Sequence, residues 1–65
     1  MQISVNGQPT QVPDGAAVAQ LLQALKLEGR MAVEINGEIV PRSRWAEHRL
    51  QGADRVEIVR AIGGG

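Results

Sequence analysis

Two Asn-Gly dipeptides constrain the fold of this chain more than any other feature of its sequence. Asn6-Gly7 follows an alternating segment in which Ile3 and Val5 are apolar, and Asn36-Gly37 lies between two further strand-like segments. Asn and Gly both tolerate positive φ, which a two-residue turn between antiparallel strands requires. The sequence therefore predicts two β-hairpins, one at the start of the chain and one in its middle.

The strands of the hairpins follow from the residues beside each turn. The first turn predicts a return strand over residues 8–12, and the second joins strands over residues 32–35 and 38–40. Pro9 has no amide hydrogen, so the strand that contains it is expected at an edge of the sheet. Pro41 is expected to end the second hairpin.

A helix is predicted between the hairpins, over residues 16–27. Apolar residues there repeat at the spacing i, i+3, i+4 and i+7, which is typical of one buried helix face: Val18, Leu21, Leu22 and Leu25. Asp14 is expected to cap the first turn, and Gly29 stands where a helix stop is expected.

The rest of the chain predicts a short helical turn and a last strand. Ser43 is expected to cap a turn that runs through Trp45, and residues 51–54 are expected to form a turn. In the strand predicted over residues 55–62, alternation places two sets of side chains on opposite faces: Val56, Ile58, Arg60 and Ile62 on one, and Glu57, Val59 and Ala61 on the other. Val59 is then an apolar group that is exposed near the end of the chain.

This order of elements predicts an α+β fold, the ubiquitin-like β-grasp, with a mixed sheet of four to five strands packed on one main helix. Residues 1–62 would form the domain, and residues 63–65 a flexible C-terminal glycine tail. The pattern alone leaves other small α+β topologies open.

Composition argues against several classes of function. The net charge is zero and Trp45 is the sole aromatic residue, which disfavours a nucleic-acid binder. With no cysteine and a single histidine, His48, we expect no catalytic residue and no metal site. No segment reads as a targeting signal or a membrane span. We expect a cytoplasmic protein that is a monomer when free, with neither nucleic acid nor membrane as partner.

Charged side chains gather at two further places. Glu34 and Glu38 flank the second turn and could be neighbours across it, most simply as the polar face of a hairpin. Three arginines lie close to Trp45 in the sequence, and they suit either a solvated surface or a docking patch: Arg42, Arg44 and Arg49. Trp45 itself is expected in the core.

The three final residues, Gly63, Gly64 and Gly65, are the remaining candidate for chemistry. They could be a frayed end or a linker. Alternatively, three extended residues reach about 10 Å and, without Cβ atoms, can enter a narrow tunnel in a partner enzyme. A terminal carboxylate that attacks ATP becomes an acyl-adenylate, and a sulfur nucleophile can then displace AMP to leave a thiocarboxylate.

The chain resembles the thiamine-biosynthesis sulfur carrier protein (ThiS) family along nearly its whole length. The distinctive stretch is residues 34–45, Glu-Ile-Asn-Gly-Glu-Ile-Val-Pro-Arg-Ser-Arg-Trp, and residues 54–59 and the terminal Gly64-Gly65 agree as well. Two residues depart from the family pattern. Ala53 stands where the family often has Gly, and Gly63 makes three final glycines instead of two.

The resemblance implies a protein substrate and not a catalyst. In the family, an E1-like adenylyltransferase of the ThiF type activates the terminal glycine with ATP and magnesium, and a cysteine desulfurase route supplies sulfur. The thiocarboxylate then serves thiazole synthase of the ThiG type. On this chain, Gly65 would be adenylated and thiocarboxylated, Gly64 and Gly63 would be required for activation, and no cofactor would be bound.

Partners are expected to dock on the sheet face that carries Val59, with Arg60 and Ile62 nearby. Three different functions remain compatible with the sequence. The small subunit of molybdopterin synthase shares the fold and the tail chemistry, although that family is usually longer and richer in phenylalanine, which this chain lacks. A ubiquitin-like modifier and a plain binding module are the second and the third.

Overall fold

Five strands form one mixed sheet, as the sequence predicted for a β-grasp. The computed structural model describes residues 1–60 of the chain. Its elements are, in chain order, β1 (Gln2–Val5), β2 (Gln8–Gln11), α1 (Val18–Ala24), β3 (Met31–Ile35), β4 (Glu38–Val40), a 3₁₀ turn (Arg42–Arg44) and β5 (Arg55–Arg60). The strand order is β2-β1-β5-β3-β4, in which β1 and β5 are parallel and all other neighbours are antiparallel.

The last strand, β5, lies in the centre of the sheet and joins the two hairpins. Val56 is paired with Val5 on one side and with Ile35 on the other. All three of these side chains are buried beneath α1 with the rest of the core. The predicted alternation along β5 is confirmed for residues 55–60, whereas the predicted continuation to Ile62 lies outside the described residues.

Both predicted hairpin turns are confirmed. Asn6 and Gly7 have φ values of 49° and 82°, and Asn36 and Gly37 have values of 52° and 88°. Positive φ at both central residues is the geometry of a type I′ turn, which matches the twist of the strands that it joins. The strand that contains Pro9 is at the edge of the sheet, as predicted.

The N-terminus of α1 differs from the prediction. The Asp14 carboxylate does not cap the helix; it lies 3.1 Å from the ammonium group of Met1. Ala17 is the N-cap, and its amide donates to Gln20 Oε1 at 2.8 Å. The helix starts only at Val18 because Ala17 is extended and forms a β-bridge with Arg49.

The C-terminus of α1 also differs. The helix ends at Ala24, three residues before the predicted end at residue 27. It ends there because Lys26 takes a φ of 57° and the amide of Leu27 donates to the carbonyl of Leu22 at 2.9 Å. This is a Schellman motif with lysine in the position that usually holds glycine. Leu25 therefore lies at the helix end and is 38% exposed, so the fourth residue of the predicted apolar stripe does not join the core.

Trp45 is buried in the core, as predicted, at the end of the 3₁₀ turn. Its indole Nε1 donates to the carbonyl of Val40 at 2.9 Å, and the guanidinium of Arg42 lies 5.6 Å from the ring centroid. Ser43 lies inside this turn and Pro41 precedes it, so the predicted Ser43 cap is wrong. A proline suits this place because a first helical turn needs no amide hydrogen there.

The core lies between α1 and one face of the sheet. Its buried members are Ile3, Val5, Val12, Ala16, Val18, Leu21, Leu22, Val33, Ile35, Val40, Trp45, Leu50, Val56 and Ile58. Within residues 1–60, no helix has the length and apolar character needed to cross a membrane.

The turn before β5 supplies a test of backbone strain. Ala53 has a φ of 69°, where an L-residue costs about 1 kcal/mol that glycine avoids. We expect Ala53→Gly to raise the free energy of unfolding by about 1 kcal/mol in urea denaturation. The matched control is Ala24→Gly in α1, which should lower it by about 1 kcal/mol. A loss of stability in Ala53→Gly would contradict the strain at this position.

Candidate functional site

The sheet face opposite α1 is the candidate site, and we call it the open face. Its side chains alternate with the buried ones along each strand. The open face comprises Gln2 and Ser4 of β1, Pro9 and Gln11 of β2, Ala32 and Glu34 of β3, Ile39 of β4, and Arg55, Glu57 and Val59 of β5. No element among residues 1–60 covers it, since α1 packs on the other side.

Two apolar side chains on the open face are unusually exposed. Val59 is 64% exposed and Ile39 is 60% exposed. Val59 is paired with Ala32, whereas Ile39 is paired with Glu34 on the neighbouring strand. The predicted exposure of Val59 is therefore confirmed, and Ile39 adds a second apolar group two strands away from it.

Two glutamates lie directly opposite each other between these apolar groups. Glu34 of β3 is paired with Glu57 of β5. Like charges in such a pair are destabilising. Within residues 1–60 the side chains of both glutamates are free of ion pairs, because the salt bridge there joins Met1 to Asp14. The open face thus carries two negative charges and, at Arg55, one positive charge, with no ion pair between them in the described part of the domain.

The predicted closeness of Glu34 and Glu38 is wrong. The two-residue turn pairs Glu38 with Ile35, whose side chain is buried, so Glu38 belongs to the helix side of the sheet. The register of a type I′ hairpin follows from its turn, and that signal could have revealed the error. The close carboxylate neighbour of Glu34 is instead Glu57, across a pairing that the sequence does not indicate.

The predicted docking residues do not share one face. Val59 is on the open face, whereas Arg60 projects towards the helix side, where its Nη2 donates to the carbonyl of Glu28 at 3.4 Å. Ile62, the third predicted docking residue, lies outside the described residues. The same holds for Gly63, Gly64 and Gly65, the residues predicted to be required for activation and to carry the modification.

Sequence reasoning missed the side chains of the two turn asparagines. Asn6 and Asn36 both make hydrogen bonds to β5 or to the residue just before it. The Asn-Gly dipeptides were interpreted as turn formers, which they are. Nothing in the sequence near either turn indicates that these side chains contact β5, which is far from both turns along the chain.

The single histidine and the acidic side chains of residues 1–60 do not converge on a metal site. His48 is exposed, and residues 1–60 contain no group of three His, Asp or Glu side chains placed to hold a metal ion. A groove between β4 and the following loop is lined by groups of both charges, among them Glu38, Arg44, Glu47 and Arg49. With Asp54 it holds three acidic side chains and two arginines, a mixed set that singles out no ligand.

Comparison with known proteins gives a consistent family. The model of the ThiS family matches residues 3–65. The chain is 39% identical over 66 residues to the sulfur carrier protein ThiS of Escherichia coli (strain K12), with all of both chains covered. It is also 39% identical to the thiazole synthase of Paramagnetospirillum magneticum, covering 100% of this chain and 20% of that protein. The crystal structure of the thiamine biosynthesis protein ThiS from Geobacter metallireducens superposes with a TM-score of 0.85 at 35% identity, over 100% of each chain.

The glutamate pair on the open face predicts a gain of stability when one charge is removed. We expect Glu34→Gln to raise the free energy of unfolding by about 0.2–1 kcal/mol, because the repulsion with Glu57 disappears. The gain should shrink at high ionic strength, which screens exposed charges. Glu38→Gln is the matched control and should show no comparable gain. Equal effects of the two substitutions in urea denaturation would contradict the pairing.

Proposed function

Since the chain belongs to the ThiS family and is a sulfur carrier of thiamine biosynthesis, we propose that Gly65 is the residue that carries the sulfur, as a terminal thiocarboxylate. The match of residues 3–65 to the family is the observation that carries this proposal, because it includes the final glycines. The chain is a small carrier and not a catalyst.

The chemistry of the proposed carrier takes place at one carboxyl group. The Gly65 carboxylate attacks the α-phosphorus of ATP, and pyrophosphate leaves, so that an acyl-adenylate forms. A sulfur nucleophile then attacks the acyl carbon and AMP leaves. Hydrosulfide gives the thiocarboxylate directly, whereas a persulfide gives an acyl disulfide that a thiol then cleaves, with the thiol ending in a disulfide and the thiocarboxylate released. Gly64 and Gly63 serve this step because residues without Cβ atoms fit a narrow channel and adopt backbone angles closed to other residues.

The partners follow from this chemistry. We assign activation to an E1-like adenylyltransferase of the ThiF type, which binds the ATP and Mg²⁺, so this chain binds no cofactor itself. A cysteine desulfurase route supplies the sulfur. Because activation consumes ATP, the proposed location is the cytoplasm. In its free state the carrier is proposed to be a monomer.

The proposed acceptor of the sulfur is a thiazole synthase of the ThiG type. Two thiazole synthases, from Paramagnetospirillum magneticum and Magnetococcus marinus, contain a segment that aligns with the whole of this chain. A carrier and an acceptor in one polypeptide meet at a high effective concentration, which favours an association between them. Molybdopterin synthase is not favoured as the acceptor, since the relatives include two thiazole synthases and a thiamine biosynthesis protein.

The open face is the proposed docking surface for these partners. Val59 on the central strand and Ile39 on the edge strand β4 offer apolar area, and Glu34 and Glu57 offer negative charge beside them. A partner that places a cation between the glutamates removes their repulsion and gains affinity from it. Arg60 and Ile62 are proposed to extend this contact, Arg60 from the helix side of β5.

The carrier proposal predicts one chemical change. After incubation with the adenylyltransferase, ATP, Mg²⁺ and a sulfur source, intact mass spectrometry should show one oxygen replaced by sulfur, located at Gly65 by fragmentation. Deletion of Gly65 should abolish the change, and omission of ATP is the control. If the chain stays unmodified while the Escherichia coli ThiS protein gains sulfur in the same reaction, the assignment of Gly65 is wrong.

The docking proposal predicts a face-specific loss of binding. Val59→Asp should weaken binding to the adenylyltransferase or the thiazole synthase by on the order of tenfold, because a charge replaces an apolar contact. Leu25→Asp is the matched control on the helix side, and it should leave the affinity unchanged. Arg60→Glu tests whether the contact with the partner also includes the helix side of β5. Binding that survives both Val59→Asp and Arg60→Glu would refute this surface.

A further inference from the structure

The pairing of β1 with β5 stops before β5 ends. The amide of Ser4 donates to the carbonyl of Asp54 at 3.0 Å, and the amide of Asn6 donates to the carbonyl of Val56 at 2.8 Å. In a parallel ladder the next partners of Ile58 would be the carbonyl of residue 6 and the amide of residue 8. Residue 8 is not available there, because the chain has turned at Gly7 and Gln8 is paired with Val5.

The side chain of Asn6 takes the place of these missing backbone groups. Its Oδ1 accepts from the amide of Ile58 at 2.8 Å, and its Nδ2 donates to the carbonyl of Ile58 at 3.2 Å. A carboxamide carries the same donor and acceptor as a peptide group, so it continues the ladder by one step. Both bonds are partly buried, where loss of a partner is costly.

Asn36, in the second turn, makes similar hydrogen bonds to the start of β5. The amide of Asn36 donates to the carbonyl of Arg55 at 2.8 Å, and Asn36 Oδ1 accepts from the amide of Arg55 at 2.9 Å. Its Nδ2 donates to Asp54 Oδ1 at 3.0 Å. The two asparagines thus hold β5 from opposite sides, Asn36 where the strand begins and Asn6 close to where it ends.

Turn formation alone does not account for asparagine at position 6. Glycine and aspartate also tolerate the left-handed conformation that Asn6 adopts, and glycine does so at no steric cost. A side chain that both donates to and accepts from one peptide group requires a carboxamide. The identity of residue 6 is therefore tied to Ile58, two residues before Arg60, and the chain leads from there to Gly65.

We propose that Asn6 is a positioning residue for sulfur loading: its carboxamide fixes β5 at Ile58 and so holds the point from which the final residues reach the active site of the activating enzyme. This inference rests on the proposed function of Gly65. Asn6 lies in the turn between β1 and β2, so its loss leaves the proposed docking groups Ile39 and Glu34 on β4 and β3 in place. Val59, in contrast, directly follows Ile58 and moves with it.

The test compares two substitutions in the same turn. Asn6→Gly keeps the turn and removes the carboxamide. Gly7→Ala keeps the carboxamide and strains the turn, since Gly7 has a φ of 82°. The added Cβ meets no atom outside its chain neighbours within 4 Å, so the strain is confined to the backbone of the turn. In Asn6→Gly, the amide of Ile58 should exchange its hydrogen about tenfold faster relative to the amides of β3. In Gly7→Ala, that ratio should stay at its original value.

The enzymatic readout separates positioning from stability. With the ATP-dependent activating enzyme, Asn6→Gly should lower kcat for sulfur loading by about tenfold with a smaller change in KM, because Ile39 and Glu34 still dock while the reacting group is misplaced more often. Gly7→Ala should leave kcat within about twofold of the original. Should Asn6→Gly not fold, Asn6→Asp retains the acceptor for Ile58 alone and should give intermediate values of both readouts.

Three results would overturn the inference. They are equal exchange ratios at Ile58 in the two variants, equal losses of kcat in both, or faster exchange at Ile58 with unchanged kcat. The proposed function fails in a different way, since the unsubstituted chain would then take up no sulfur. In that case the exchange ratio still tests the contact between Asn6 and Ile58, and an absence of turnover overturns the positioning role.

Discussion

The structure depends on the insertion of β5 between β1 and β3. Each hairpin alone is a two-stranded unit, which is at best marginally stable in water. Val56 packs between Val5 and Ile35 and brings the two hairpins into one sheet that α1 can cover. The strand that completes the domain is therefore also the one that leads directly to the final glycines, so the stability of the fold and the presentation of its end depend on the same backbone pairing.

Sequence patterns predicted the parts of the fold that are decided locally. The turns at Asn6-Gly7 and Asn36-Gly37, the edge position of Pro9 and the exposure of Val59 all follow from turn chemistry and alternation, and all are present. The C-terminal bound of α1 was wrong because Lys26 takes a left-handed conformation that glycine usually adopts, and the N-terminal bound was wrong because distant partners set it. The amides of Val18 and Ala19 donate to the carbonyls of His48 and Trp45, which no helix-capping rule could reveal.

In the candidate site, too, the features decided within one strand were predicted, and those that depend on contacts between distant parts of the chain were not. Val59 could be placed on an exposed face from alternation within one strand. The opposition of Glu34 and Glu57 depends on the register between strands that are far apart in sequence, and the bonds from Asn6 and Asn36 to β5 do as well. Without a catalytic group, such a carrier acts through what it presents, namely a recognisable face and a correctly placed chain end. The repulsion between Glu34 and Glu57 on that face lowers the stability of the free domain, and on the docking proposal a partner relieves it.

The edge position of Pro9 has a consequence for the behaviour of the carrier at high concentration. In this hairpin Val5 and Gln8 form the pair next to the turn, so the nitrogen of the following residue, Pro9, is directed away from β1. An ordinary residue would offer an amide there to a strand of another molecule. Proline removes that donor, which discourages the growth of the sheet from one copy to the next and the aggregation that such growth begins. The open edge at β2 is thus less suited to sheet-to-sheet association than an edge of ordinary residues would be.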